Sequence, residues 1–338
     1  MPLSRENIKM SRGSKNVALI GAGYWGKNLV RVFYQLGVLK TICDSDKRIL
    51  EKRKQEYPNI QITTFFSGIL KDKDIKAVVI ATPAVTHYNL VKKALEYRKD
   101  VFVEKPLSLQ VKQGEELVKI ANEKKRILMV GHLLLYHPAI ITLEKLIKKG
   151  ELGEIHYIWS NRLNFGKLRR EENVLWSFAP HDISVIIDIL GKPEKIIAKG
   201  KSYLQKNISD ITLTTLEFKN NKSAHIFVSW LNPFKEQKLS VVGSKAMAVF
   251  DDQAKEKLVT YKHKVKWQRN KAPEAVKAKG KVIKISKKEP LMEEAKHFFE
   301  CIQKRKTPKT DGKEALKILK VLDACQKSLE KNGKVIKL

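Results

Sequence analysis

Residues 16–26, NVALIGAGYWG, constrain this chain more than any other stretch. The run Val17-Ala18-Leu19-Ile20 is short and wholly apolar, as a strand buried on both faces is. It breaks at Gly21-Ala22-Gly23 and resumes with apolar residues at Leu29, Val32, Phe33 and Leu36, a helical spacing. Between a strand and a helix, the spacing G-x-G-x-x-G has a mechanical meaning. Gly21 permits the tight turn, Gly23 lets a pyrophosphate approach the backbone, and Gly26 lets the helix lie close to its strand. The N–H groups at the start of the helix then receive the phosphate charge. The stretch predicts a dinucleotide site, with a ligand-free tight turn as the alternative. Tyr24 and Trp25 lie in the same loop as further cofactor contacts, Trp25 either covering the cofactor or packing beside it.

The chain downstream supports this frame. A second strand, 38–43, ends in Asp44. An acidic residue about twenty positions beyond the glycines holds the adenosine ribose hydroxyls and repels the extra phosphate of NADP. Asp44 therefore favours NAD, while Lys47 and Arg48 nearby keep NADP open. Asp44 also competes with Ser45 and Asp46 to cap the helix expected over 47–57. Further strands are expected at 60–62, 77–81, 101–103 and 127–130, separated by helices over 86–97 and from Ser108, as its cap, to 125. Strands alternating with helices predict a doubly wound parallel sheet, with ligands at the carboxyl ends of the strands. Gly21–Gly26, Asp44, Ala81-Thr82-Pro83 and Glu104-Lys105-Pro106 all fall at such ends. His87 either touches the cofactor or is an ordinary surface histidine.

Beyond residue 130 the texture changes. A helix is expected over 138–149. Then several segments alternate with period two: Ala224, Ile226, Val228 and Trp230 share one face, and His225, Phe227 and Ser229 the other. This predicts a mostly antiparallel, open sheet whose second face suits contact between subunits in a dimer or tetramer. Two helices, over 291–304 and 313–331, close the chain. The expected organisation is a flexible tail over 1–14, a Rossmann domain over 15–130 and an α+β substrate domain over 131–338.

Composition matters mainly for what it excludes. No apolar run approaches the roughly 20 residues that span a bilayer. The three cysteines, Cys43, Cys301 and Cys325, have no metal-ligand spacing, so no metal is expected and a reducing cytoplasm suits them. The net charge of +31 raises nucleic-acid binding as a competing reading. The lysines, however, are spread along polar helix faces and no nucleic-acid-binding motif accompanies them. The charge favours anionic small substrates instead. The densest basic block, 255–288, reads as an exposed hairpin.

The words GAGYWG, ATPAVTH, VEKPLSL and PHDIS, in this order, resemble the Gfo/Idh/MocA family of nicotinamide-dependent sugar and cyclitol oxidoreductases. GYWGKNLVR, GHLLLYHPA and LWSFAPHDIS are most similar to its polysaccharide-biosynthesis branch. That branch includes dehydrogenases acting at C3 of UDP-N-acetylglucosaminuronate. The resemblance implies a sugar or nucleotide-sugar substrate, with an inositol or free-sugar dehydrogenase, or a non-catalytic NAD(H)-binding regulator, as alternatives. It also implies that Lys105, in the E-K-P motif, hydrogen-bonds the reacting oxygen. A lysine beside a cationic nicotinamide has its pKa lowered toward values useful for proton transfer.

His181 matches the family's acid/base histidine and is expected to open a helix, where the positive dipole end keeps it neutral. Ser177 departs from the aspartate that many members place four residues earlier. It either caps the helix or meets substrate, and the departure shifts the principal proton acceptor toward Lys105. Asp182, a further candidate substrate contact, adjoins His181 but points about 100° away round the helix, which makes it a poor substitute for that aspartate. Arg162 and Asn164, expected beyond a strand, are candidate substrate contacts. Arg162 either clamps a carboxylate or phosphate, or forms a loop salt bridge.

Overall fold

The computed structural model describes residues 15–166, 168–269 and 271–338, so the expected tail over 1–14 lies outside the described residues. The chain divides into two compact units. One comprises residues up to Leu107 with Glu115–Gly131 and Ala295–Gly312. The other comprises Ser108–Gly114, His132–Glu294 and Lys313–Leu338.

The first unit follows the order β1 (Val17–Ile20), α1 (Gly26–Gln35), β2 (Leu39–Cys43), α2 (Lys47–Glu56), β3 (Gln61–Thr63), α3 (Phe66–Lys71), β4 (Ala77–Ile80), α4 (Ala84–Glu96) and β5 (Asp100–Glu104). Next come α5 (Val111–Glu123) and β6 (Leu128–Gly131). Among the described residues these strands form a six-stranded parallel sheet in the order β3-β2-β1-β4-β5-β6. Every residue of β1 and β4 is buried, as central strands covered on both faces must be. The strand order reverses direction beside β1. Right-handed crossovers therefore send successive helices to opposite faces and open a crevice at the carboxyl ends.

The core of this unit is built around aromatic edges. Phe33 of α1 and Phe102 of β5 meet Phe298 with ring centroids 5.6 to 6.4 Å apart and steep interplanar angles. Phe298 comes from α8 (Pro290–Lys304), far along the chain. The same late segment is fastened by Arg305, which reaches buried Asp100 at 2.7 Å and the Lys125 carbonyl at 2.7 Å. The Val130 N–H donates to the Thr310 carbonyl at 2.9 Å. Ser108 does not cap α5. It stands three residues before the helix begins, and its hydroxyl donates to the Gln110 carbonyl at 2.8 Å instead of accepting from a helix N–H.

The second unit contains a 3-10 turn at Leu133–Tyr136, α6 (Pro138–Lys148), β7 (Ile155–Leu163), α7 (Val174–Leu190), β8 (Lys195–Lys201), β9 (Ile211–Glu217), β10 (Ser223–Ser229) and β11 (Glu236–Gly243). Then follow β12 (Met247–Asp251), β13 (Leu258–Tyr261), β14 (Lys264–Lys266), β15 (Glu274–Val276) and β16 (Lys281–Val282), with α9 (Gly312–Glu330) and β17 (Ile336–Lys337) at the end. Nine described strands form one sheet, β16-β13-β12-β11-β7-β10-β9-β8-β17. All its pairings are antiparallel except β7 with β10. One face buries Ile158, Ala224, Ile226, Val228, Leu216 and Leu239, with α7 lying across β7, β9 and β10. The opposite face carries Leu213, 53% exposed, and Tyr157, 39% exposed. The basic block is a hairpin only in part: it gives β13 and β16 to this sheet, and β14 and β15 between them pair as a separate hairpin. No described helix is long and apolar enough to cross a membrane.

Candidate active site

At the carboxyl edge of the first sheet, the glycine loop is fixed by steric demands. Gly21 has φ +87°, where a side chain is strained, and a Cβ there would meet the Ala81 carbonyl oxygen at 2.7 Å. A Cβ on Gly26 would fall 1.9 Å from the Gly21 carbonyl oxygen. Gly23 differs from both: a Cβ there would meet no atom within 4 Å. The two outer glycines serve the fold, and the middle one borders open space. No side chain caps α1 and no acidic residue lies in its first turn. The positive end of the helix thus has no counter-charge from its own first turn. These features fit the pyrophosphate of a dinucleotide.

Asp44 stands at the end of β2. Its carboxylate accepts from the Ala22 N–H at 2.7 Å and the Asp46 N–H at 3.0 Å, tying the glycine loop to the neighbouring strand end. Asp46, and not Asp44, caps α2 by accepting from the Arg48 N–H at 2.9 Å. Asp46 also holds the Arg48 guanidinium at 2.9 Å.

Beyond β4, Thr86 donates to the Pro83 carbonyl at 2.7 Å, so the Thr82 hydroxyl is the donor in its 2.6 Å contact with Thr86. His87 is neither exposed nor at a helix end. It is 1% exposed, the fourth residue of α4, and both its ring nitrogens face backbone carbonyls: Nδ1 to Pro106 at 2.7 Å and Nε2 to Thr82 at 2.9 Å. Burial pushes the imidazole below its ordinary pKa. The ring is spent on pinning the end of β4 to the Lys105-Pro106 segment, and it does not reach out to a cofactor. The Lys105–Pro106 peptide is cis. Lys105 is half-buried at the end of β5. Beside it, the Glu104 carboxylate accepts from Trp25 Nε1 at 2.6 Å, and burial raises its pKa. A Cβ on Gly131 would stand 3.2 Å from this carboxylate, so glycine there keeps its place clear.

In the second unit, α7 begins seven residues before His181. Asn173 caps it, accepting from the Trp176 N–H at 3.2 Å. Ser177 is therefore not a cap, and Pro180 lies inside the helix. His181 sits in the third turn, half-buried, and the helix-start dipole argument does not apply to it. The Ser184 hydroxyl donates to the His181 carbonyl at 2.7 Å. Ser177 is 5% exposed.

Arg162 also departs from its expected place. It lies within β7, 7% exposed, and its Nε and Nη2 donate to the Asp182 carboxylate at 2.7 and 3.2 Å. Ser160 Oγ donates to the same carboxylate at 2.6 Å. Both groups are thus satisfied inside the protein, where an unpaired charge is costly, and neither is offered to a substrate. Asn164 follows β7 directly, half-buried, with its N–H donating to the Ser229 carbonyl at 3.1 Å.

The network extends further than the sequence indicated. With the Gln237 amide oriented to satisfy its neighbours, its oxygen accepts from Arg162 Nη1 at 3.3 Å and its nitrogen donates to Asp252 at 2.9 Å. His137 Nδ1 accepts from the Ala139 N–H and caps α6, so the ring proton resides on Nε2, 3.4 Å from Asp252. Burial alone would raise the Asp252 pKa, but His137, Lys257 and Arg162 together hold it below its ordinary value. Gln237 and Asp252 gave no local signal, because they join the network only through strand pairing. Among the described residues no group of His, Cys, Asp and Glu is arranged to hold a metal ion.

Comparison with known proteins agrees with this anatomy. The family described as "Oxidoreductase family, NAD-binding Rossmann fold" (GFO_IDH_MocA) matches residues 15–132, and the "GFO/IDH/MocA C-terminal domain" matches residues 140–249. The 2,7-anhydro-N-acetylneuraminate hydratase of Escherichia coli is 27% identical over 70% of this chain and 68% of its own length. The NADP-dependent scyllo-inositol 2-dehydrogenase of Bacillus subtilis is 24% identical over 56% of this chain and 57% of its own. The structure of UDP-N-acetylglucosamine 3-dehydrogenase from Acidithiobacillus ferrooxidans superposes with a TM-score of 0.80 at 20% identity, covering 94% of this chain and 98% of that one. At that identity the likeness is one of fold.

Proposed function

The chain belongs to the Gfo/Idh/MocA family of NAD(P)-dependent oxidoreductases. On that premise we propose that it moves a hydride between NAD and a secondary alcohol or ketone of a nucleotide-linked sugar. The proposed substrate is of the UDP-N-acetylamino-sugar uronate class, used in polysaccharide biosynthesis. The observation that carries this reading is a single sheet edge holding the open space at Gly23, the Asp44 carboxylate, Thr82-Pro83 and Lys105.

Bound NAD supplies the hydride acceptor for the carbinol carbon. Gly21, Gly23 and Gly26 shape the loop that holds its pyrophosphate, and the helix-start amides face the phosphate charge. Asp44 offers its carboxylate to the adenosine ribose. Asp46 holds the Arg48 guanidinium, which leaves Lys47 as the nearby cation through which a 2′-phosphate would be accepted. Lys105 hydrogen-bonds the reacting oxygen and accepts its proton as the carbonyl forms. His181 orients the sugar, and Asn164 and Ser177 contact it. The open sheet face bearing Leu213 and Tyr157 supports pairing with a second copy, and the free, buried cysteines suit a cytoplasmic enzyme.

The test is near-ultraviolet absorbance of the reduced nicotinamide. NAD and NADP are each offered with UDP-sugars, including N-acetylhexosamine uronates, and with free hexoses and inositols. The expected result is reduction of NAD with one UDP-sugar, abolished by Lys105→Met. Turnover of free polyols alone favours the second reading, an inositol or free-sugar dehydrogenase, which the Bacillus relative supports. Substrate consumption without net cofactor reduction points to a hydratase like the Escherichia coli relative.

A further inference from the structure

Trp25 and Glu104 are joined in a way that the strand order makes informative. Trp25 precedes α1, directly after the loop that leaves β1, whereas Glu104 ends β5. β4 lies between those two strands, so their ends are separated by two inter-strand spacings, roughly 9 to 10 Å. The 2.6 Å hydrogen bond from Trp25 Nε1 to the Glu104 carboxylate closes that gap across the end of β4. The indole is 38% exposed, and its one polar atom is held by the half-buried Glu104 carboxylate, whose place Gly131 keeps clear.

If the pyrophosphate binds at the glycine loop and Asp44 marks the adenosine side, the nicotinamide half must extend the other way, across the ends of β4 and β5. We propose that Trp25, held in place by Glu104, is the wall against which the nicotinamide ring packs. The pair thereby selects the reacting half of the cofactor. Trp25 supplies a large planar apolar surface at low entropic cost, and the carboxylate fixes its orientation. Glu104 is a positioning residue acting through Trp25.

This inference rests on the dinucleotide reading above, and the test separates the two. Calorimetric affinities for NADH and for ADP-ribose, which lacks the nicotinamide, are measured on the full chain. The variants are Trp25→Phe, Trp25→Ala, Glu104→Leu and Glu104→Gln. Losing a hydrogen bond to a carboxylate corresponds to roughly a tenfold change. Trp25→Ala and Glu104→Leu are expected to weaken NADH about tenfold or more while leaving ADP-ribose within about twofold. Glu104→Gln keeps an acceptor for the indole N–H and is expected to restore NADH affinity. Trp25→Phe keeps a ring but loses the N–H, and should fall between wild type and alanine.

Equal loss of NADH and ADP-ribose would overturn the proposal, since the indole would then serve the phosphate loop. Tighter NADH binding in Trp25→Ala would also overturn it, because the indole would be an obstruction. Unchanged affinities in every variant would do the same. A wild-type protein binding neither ligand would instead refute the dinucleotide site itself.

Discussion

Replacing Arg162 distinguishes a structural ion pair from a substrate clamp. Arg162 and Asp182 are 7% and 2% exposed, and the Asp182 carboxylate receives two guanidinium N–H groups and the Ser160 hydroxyl. Arg162→Met fills a similar volume but leaves the Asp182 carboxyl with the Ser160 hydroxyl as its single remaining donor. Breaking a buried pair from one side costs about 3–5 kcal/mol. Asp182→Leu alone should cost a similar amount, because it strands the guanidinium. Replacing both together removes the uncompensated charge, so the double variant should lie within roughly 1–2 kcal/mol of wild type, giving a coupling energy of several kcal/mol. Urea denaturation followed by tryptophan fluorescence in a Trp25→Phe background, where Trp159, Trp176, Trp230 and Trp267 all lie in the second unit, reports this, with NADH affinity measured with Trp25 in place as the control for the first unit. Two units make a single unfolding step unsafe to assume, so midpoints of the second-unit signal are compared. The reasoning is refuted if Arg162→Met leaves that midpoint unmoved and raises only the substrate KM, for the guanidinium would then be bound to substrate.

Four further predictions follow from the same geometry. Gly23→Ala should fold normally, since its Cβ meets nothing within 4 Å, yet weaken NADH severalfold or more. Gly26→Ala should destabilise the fold itself, its Cβ lying 1.9 Å from a backbone oxygen, as thermal melting without ligand will show. Phe298→Ala removes a fully buried ring that meets two others edge-on and should cost about 3–5 kcal/mol in the first unit, read by denaturation monitored through NADH binding. His87 has a pKa depressed by burial, so the unfolded chain binds more protons than the folded one once pH drops below the unfolded value of about 6.5. Its contribution to stability is therefore present above that pH and is lost as pH falls, until the folded pKa is reached. His87→Gln should flatten this part of the pH–stability curve.

The first unit was largely legible because its signals are local. The central strands β1 and β4 are continuous apolar runs, and Gly26 answers to the Gly21 carbonyl five residues earlier, although the Ala81 carbonyl that crowds Gly21 comes from the end of β4. The capping role near β2 was ambiguous in sequence because Asp44, Ser45 and Asp46 all have suitable oxygens. Only the angle at which the chain enters α2 selected Asp46. The start of α7 was misplaced because Pro180 reads as a first-turn residue. In the structure Asn173 caps the helix and the chain carries the proline within it. The six-residue α3 was too short to display a period.

Residues 16–26 by themselves determined a strand, a turn that only glycine can make and a helix whose start faces outward. Hydrophobic alternation likewise determined which sheet faces are buried. Both depend on neighbours close in sequence, whose geometry the backbone dictates. Tertiary structure alone decided where the charges and rings end. It paired Arg162 with Asp182, turned His87 inward onto two carbonyls, drew Phe298 into the first unit's core and set Trp25 against Glu104. Those contacts join residues 5 to 265 positions apart. A side chain's type says that it needs a partner, but strand order and register determine which partner comes within reach.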